Sequence, residues 1–184
     1  MKYVYHGSNI SNLKKIKPNV STHMKKWVYA TPSKAIATIF LSSKGNDLYY
    51  YLGGSGTKES PIVLVERKKG MFKKIFNVSG SIYKLNGNNF LENQTGWSLE
   101  VISDKEARVI DEYYVENVYE ELIKLNNEGE LNLYLYPNRP KNIPVDNSDL
   151  IIKVKRWEKN GFDVQNFFDI YPELKEMYNK TVIE

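Results

Sequence analysis

The chain contains no cysteine among its 184 residues. This absence excludes disulfide bridges, thiolate metal sites and cysteine nucleophiles. It fits a reducing compartment, and so a cytoplasmic protein, or a disulfide-free export route. Histidine is also scarce, with two residues in the whole chain, His6 and His23. His23 has no partner at metal-ligand spacing and is interpreted as a solvated loop residue, so no metal site is predicted.

Long apolar runs are missing as well. No stretch approaches the roughly 20 apolar residues that a membrane-spanning helix needs, and the first residues form a strand pattern without the apolar core of a signal peptide. We therefore expect no membrane association. The 26 Lys and Arg residues against 22 Asp and Glu give a net charge of +4. This mild excess favours anionic partners but falls short of a nucleic-acid-binding signature.

The composition is that of a globular protein, with 41% apolar residues and many aromatics, 14 of them Tyr. Alternating or short apolar runs predict strands, and longer patterns beginning at a capping residue predict helices. The predicted strands lie at 2–6, 27–31, 61–66, 80–85, 97–102, 107–115 and 131–136, and the predicted helices at 34–41, 118–125 and 149–160, with a tail that is helical in pieces. The pattern predicts an α+β fold.

Three side chains stand out, each on its own predicted strand. His6 ends the first strand, Tyr29 lies in the second, and Glu100 lies in the otherwise apolar strand 97–102. A lone carboxylate is costly to bury, so Glu100 either faces solvent or serves a chemical purpose. Glu112 is a rival candidate, but Glu100 is preferred because a turn and a further strand follow it.

This order and spacing resemble the His-Tyr-Glu class of ADP-ribosyltransferases, the group that includes diphtheria toxin and the poly-ADP-ribose polymerases. The matching motifs are the run Tyr5-His6-Gly7-Ser8, then Tyr29 with a second aromatic, Phe40, eleven positions later, and finally Glu100 before a turn and a strand. The resemblance implies a split, mostly antiparallel β-sandwich over residues 1–125, with residues 126–184 as a helical C-terminal extension packed on it.

The resemblance also implies a reaction and a set of roles. NAD would be the substrate, with no metal, and the products would be nicotinamide and ADP-ribose attached to an acceptor or to water. His6 would hold a ribose hydroxyl, and the Gly7 backbone would pair with the nicotinamide amide, with Ser8 beside it. Tyr29 and Phe40 would stack on the nicotinamide ring, although either would also suit a core position, and the pattern favours the core for Phe40. Glu100 would stabilise the positively charged transition state.

Other functions remain open at this point. A non-catalytic interaction module would keep the same scaffold, with Glu100 paired to a basic side chain or the cleft plugged by an aromatic. A relative of the RNA 2′-phosphotransferases would use NAD on the same fold, but that branch relies on arginines, and the four present lie away from the His and Tyr motifs: Arg67, Arg108, Arg139 and Arg156.

The acceptor is equally open among protein, nucleic acid, small molecule and water. Ser98 stands where arginine-modifying relatives have an acid, which disfavours arginine as the acceptor. The lysine clusters at 14–17 and 25–26 are interpreted as solvated faces or as a surface that steers a dinucleotide pyrophosphate. The abundance of Lys, Asn and Ile is typical of an AT-rich bacterial or phage genome.

Overall fold

The computed structural model of the protein describes residues 2–20, 24–42 and 48–182, so His23 lies outside the described residues. The described part is a mixture of strands and helices, as predicted. Its strands are β1 (Tyr3–Ser8), β2 (Lys15–Ile16), β3 (Asn19–Val20), β4 (Lys26–Ala30), β5 (Tyr50–Gly53), β6 (Val63–Glu66), β7 (Gly80–Asn86), β8 (Val101–Ser103), β9 (Ala107–Val115) and β10 (Asn132–Tyr134). Its α-helices are α1 (Lys34–Ile39), α2 (Met71–Phe76), α3 (Val118–Asn127), α4 (Asp149–Lys159), α5 (Gln165–Ile170) and α6 (Lys175–Lys180).

Within the described residues the strands form three sheets. One has the order β1-β7-β9-β2, a second the order β3-β4-β8, and both are antiparallel throughout. The third has the order β10-β6-β5, in which β5 pairs antiparallel and β10 pairs parallel with β6. Mostly antiparallel pairing therefore agrees with the predicted fold class.

Helix α1 follows β4 and determines the position of Phe40, the residue at its C-terminal end. Ser33 caps it, its Oγ accepting the Ile36 N–H at 3.3 Å, as the sequence predicted. Every residue from Ala35 to Ile39 is buried, and the helix packs against β1, β7 and α3. The helix is thus fixed on several sides, and the residue that ends it, Phe40, has a fixed position at its C-terminus.

Two elements differ from the sequence-based expectation. The strand predicted at 97–102 begins only at Val101, because residues 97–100 form a turn in which the Glu100 N–H donates to the Trp97 carbonyl at 3.1 Å. Helix α2 was not predicted, since two lysines interrupt its short apolar pattern. Its buried residues Phe72, Ile75 and Phe76 nevertheless have the spacing of one helical face.

Buried apolar side chains form two clusters. The smaller one joins β1, β2 and β7 to β4 and β8, with Val4, Val28 and Tyr83 among its members. The larger one contains side chains from both sides of residue 125, including Phe72 and Tyr171. The division into 1–125 and 126–184 stays a prediction, and strand β10, which follows that boundary, belongs to the same sheet as β5 and β6.

A buried arginine adds a polar connection between the two parts. Arg67, whose side chain is 2% exposed, donates to both carboxylate oxygens of Asp149 at 3.0 and 2.9 Å. Arg139 donates to the Arg67 carbonyl at 3.2 Å. The beginning of α4 is therefore held to the end of β6 by a bidentate, charge-assisted pair.

Candidate functional site

The site is built where β1 and β4 separate. The two strands meet at one backbone pair, in which the Tyr5 N–H donates to the Thr31 carbonyl at 2.7 Å and the Thr31 N–H donates back at 2.9 Å. Beyond this pair, the His6 ring lies 2.7 Å from the Tyr29 carbonyl through its Nδ1. The His6 side chain, and not the backbone, thus bonds to β4 next to the Tyr5–Thr31 pair. The two strands diverge there, and a cleft opens between them.

The opening, here named the β1–β4 cleft, has a volume of about 800 Å³. That volume lies in the range of small-molecule sites. Of the six residues that the sequence nominated, five line it: His6, Gly7, Tyr29, Phe40 and Glu100. Ser8 lines an adjoining depression instead, and its Oγ accepts the Ile10 N–H at 3.1 Å. The structure therefore places His6, Tyr29 and Glu100 around one space.

The tautomer of His6 follows from its hydrogen bond. The Tyr29 carbonyl can only accept, so Nδ1 carries the proton. Burial lowers the pKa of His6 below its usual value of 6.5, and the bond to the Tyr29 carbonyl opposes this only in part. The neutral ring is therefore favoured, and its Nε2 is an acceptor.

The lowered pKa of His6 predicts how stability depends on pH. Above pH 6.5 the ring is neutral in both the folded and unfolded states. Below about 6.5 the unfolded chain takes up a proton before the folded protein does, so the free energy of unfolding falls until the pH passes the folded-state pKa. Urea unfolding between pH 7.5 and 5 should show this loss in the wild type and a shallower one in His6→Gln. Equal pH profiles would contradict the burial of a neutral imidazole, because the two proteins differ only at residue 6.

Gly7 presents its backbone to the cleft. Both backbone groups of Tyr5 bond toward β4, and alternate residues of a strand direct these groups to the same edge, so the N–H and C=O of Gly7 also point toward β4. A Cβ on Gly7 would collide with the Ala37 carbonyl of α1. The glycine is therefore required by the close approach of α1, while its peptide groups face the cleft.

Tyr29 reaches the cleft from β4, and Glu100 reaches it from the turn before β8, the strand paired with β4. Tyr29 lies directly opposite Ile102 in the β4–β8 ladder, and Glu100 precedes Ile102 by two residues. Glu100 lies outside this ladder, so its position follows from the turn and not from strand alternation. Both residues are among those that line the cleft.

Phe40 lies at the cleft rim. Its side chain is 42% exposed, so the interpretation as a core residue, which the pattern favoured, is wrong for this position. The ring contacts Trp97 edge to face, with ring centroids 5.8 Å apart. Trp97 precedes Glu100 in the turn before β8, so the aromatic contact connects the end of α1 to the segment that carries the carboxylate.

The rival carboxylate, Glu112, has a different environment. It accepts hydrogen bonds from the Ser81 hydroxyl at 2.7 Å and from the Asn12 N–H at 2.9 Å, and the Tyr83 hydroxyl lies 3.2 Å away. The bond from Ser81 is the main reason that the pKa of Glu112 lies below its usual value. Glu112 is not among the residues lining the cleft. Its contacts indicate that it fixes the loop after β1.

Trp27 also lines the cleft, together with Lys15 and Lys17. The sequence nominated the two lysines, as a solvated face or a surface that steers the pyrophosphate, but it did not nominate Trp27. The Trp27 and Tyr29 ring centroids are 6.1 Å apart. The sequence could have nominated Trp27, because alternate residues of a strand share a face and Tyr29 was already a candidate.

Among the described residues, no group of three or more His, Cys, Asp or Glu side chains is arranged to hold a metal ion. The part of the chain that the structure describes also has no helix of sufficient length and apolarity to span a membrane. Comparison of the chain with protein-family models, with curated proteins and with solved structures finds no match.

Proposed function

We propose that the protein binds NAD in the β1–β4 cleft and transfers its ADP-ribose group to an acceptor or to water, with release of nicotinamide. The fold would then be a variant of the ADP-ribosyltransferase type, with its split β-sandwich. The observation that carries the proposal is the convergence of His6, Tyr29 and Glu100 on one cleft, in the chain order of the His-Tyr-Glu class.

The inner part of the cleft suits the nicotinamide riboside half of NAD. The Gly7 N–H and C=O would pair with the carbonyl and amino groups of the carboxamide. Tyr29 and Phe40 would contact the pyridinium ring, since aromatic side chains stack favourably on flat cationic rings. The Nε2 of neutral His6 would accept a hydrogen bond from a ribose hydroxyl.

The chemical step needs little from the protein beyond positioning and charge. The bond between the nicotinamide nitrogen and ribose C1′ breaks, and its electron pair neutralises the pyridinium as nicotinamide leaves. Positive charge develops on the ribose, and Glu100 would stabilise it at a fixed position. An acceptor lone pair then forms the new bond to C1′, and the acceptor's proton passes through Glu100 to solvent. With water as acceptor, the product is free ADP-ribose.

The alternative of a non-catalytic scaffold predicted a plugged cleft or a carboxylate neutralised by a basic side chain. The cleft is open, with a volume of about 800 Å³, and Phe40 lies at its rim. The open cleft favours the enzyme over the scaffold.

Titration of NAD into the wild-type protein by calorimetry, with a parallel assay of nicotinamide release, tests the proposal. Phe40→Ala should weaken NAD binding by about tenfold, because one stacking surface is worth roughly 0.5–1.5 kcal/mol beyond its buried area. Phe162→Ala is the matched control, since Phe162 is 64% exposed and does not line the cleft. Absence of heat and of nicotinamide release in the wild type would refute the proposed function.

A further inference from the structure

Positive charge is concentrated at the beginning of the chain. The first 46 residues contain eight lysines and no Asp or Glu, whereas the whole chain carries only +4. The remaining residues are therefore net negative. The modest overall charge conceals a strongly basic segment, and that segment includes β1–β4 and α1, which form much of the cleft wall.

Four lysines of this segment lie at or near one side of the cleft. Lys17 lines it directly, Lys25 precedes β4 and Lys26 is its first residue; all three are exposed. Lys15 also lines the cleft but is paired with Glu106 at 2.8 Å. The segment itself contains no Asp or Glu, so a polyanion approaching this side meets a segment of net positive charge.

An aromatic surface lies among these lysines. The Trp27 ring is half-buried and lines the cleft, with its centroid 6.1 Å from that of Tyr29. The Lys25 Nζ lies 4.9 Å from the Trp27 ring centroid. A flat ring next to a mobile cation is the combination with which proteins hold a base and its neighbouring phosphate in single-stranded nucleic acids.

On the basis of the proposed function, we infer that the acceptor is a single-stranded nucleic acid. A base stacks on Trp27 and the flanking phosphates bind Lys17, Lys25 and Lys26, which leads the strand into the cleft beside Glu100. An acidic peptide would satisfy the lysines, but only a nucleic acid carries a flat ring and a negative charge in every repeating unit. Lysines act as point charges, so binding is expected to be largely independent of base sequence.

The transfer step balances without a further reactant. The C1′–N bond to nicotinamide breaks with its electron pair leaving on nicotinamide. A lone pair on an oxygen or nitrogen atom of the strand forms the new bond to C1′. The proton of that acceptor atom passes to Glu100 and then to water, and the products are nicotinamide and a strand carrying one ADP-ribose group.

Fluorescence anisotropy with a labelled single-stranded oligonucleotide of mixed sequence measures the interaction. The triple variant Lys17→Glu, Lys25→Glu, Lys26→Glu should bind at least about tenfold more weakly, and the slope of log affinity against log salt should fall by about 2, at roughly 0.7 per lost phosphate contact. Trp27→Ala should weaken binding about tenfold with little change in slope.

The matched control makes the same change of charge at three lysines outside the basic segment. Lys58, Lys69 and Lys141 are exposed and lie outside the basic segment, so their triple replacement by Glu should weaken binding much less. Equal loss in both triple variants, or no oligonucleotide binding by the wild type, would overturn the inference. Tighter capture of an acidic peptide than of the oligonucleotide would also overturn it, in favour of a protein acceptor.

NAD measurements separate this inference from the proposed function. Because Lys17 lines the cleft, the lysine triple variant is assayed at NAD concentrations that saturate it, so that a change in NAD affinity is not read as a loss of strand binding. Mass spectrometry of the oligonucleotide after incubation with protein and NAD should show one added ADP-ribose group with the wild type and none with the triple variant. Nicotinamide release without any modified strand refutes the inference and leaves the proposed function intact, whereas strand binding without any NAD turnover refutes the proposed function.

Discussion

Glu100→Gln is expected to lower the rate of nicotinamide release by at least about 100-fold while changing NAD affinity by no more than about threefold. Removing one fixed electrostatic contact to the charge that develops in a transition state typically costs this much in rate. The uncharged amide is nearly the same size as the carboxylate, so the bound substrate keeps its position. Calorimetry and a single-turnover assay of nicotinamide release, on the same protein preparation, would measure both quantities.

Two further carboxylates serve as controls for this variant. Glu92 is exposed in the segment between β7 and β8 and does not line the cleft. Glu112 is the rival candidate, held by Ser81 and Asn12. Glu92→Gln and Glu112→Gln should leave the chemical step within about threefold of the wild type. A rate loss in Glu112→Gln that matches or exceeds the one in Glu100→Gln would transfer the catalytic role to Glu112.

Asp149→Asn is expected to produce the largest loss of stability. The substitution leaves the buried Arg67 guanidinium, 2% exposed, without its charged partner. Removing one member of a buried pair costs about 3–5 kcal/mol, and the partial exposure of Asp149, 31%, places the expected value near the lower limit. For a domain of this size about 3 kcal/mol corresponds to a fall in Tm of roughly 6–12 °C. Thermal unfolding by circular dichroism would measure it.

An exposed ion pair provides the comparison. Glu176 and Lys180 lie 2.6 Å apart on α6 with side chains 81% and 74% exposed. Glu176→Gln should change the free energy of unfolding by less than about 0.5 kcal/mol, because solvent screens such pairs. If both variants lose similar stability, the bidentate contact of Arg67 is not what holds α4 to the end of β6.

Much of the architecture could be predicted from local patterns. The alternation in β1, β4 and β9 and the capping residues Ser33 and Asn117 each act over a few neighbours, so they can be read without knowing the tertiary contacts. The start of β8 could not be found in this way. Its strand-like pattern continues through residues 97–100, where the structure has a turn closed by the Glu100 N–H, and the contact of Trp97 with Phe40 belongs to the tertiary structure.

In the site, too, some features follow from the local sequence and others depend on tertiary contacts. Residue types and their order nominated His6, Tyr29 and Glu100, and the structure brings these three to one cleft. The protonation of His6 could not be predicted, because it depends on a carbonyl 23 positions away in the chain. The exposed position of Phe40 was missed for a related reason: the apolar content of α1 extends to its last turn, and only the packing of α1 shows that the next ring reaches the surface.

The pairing of β10 with β6 has a consequence for biosynthesis. Strand β6, α2 and α3 are complete in sequence by residue 127, yet β10 and aromatic side chains as late as Tyr178 cover the same apolar cluster. A nascent chain emerging from the ribosome would therefore expose this surface to water until Tyr178 has been made. Contacts between residues so far apart close late in folding, so the partly made chain is prone to aggregate.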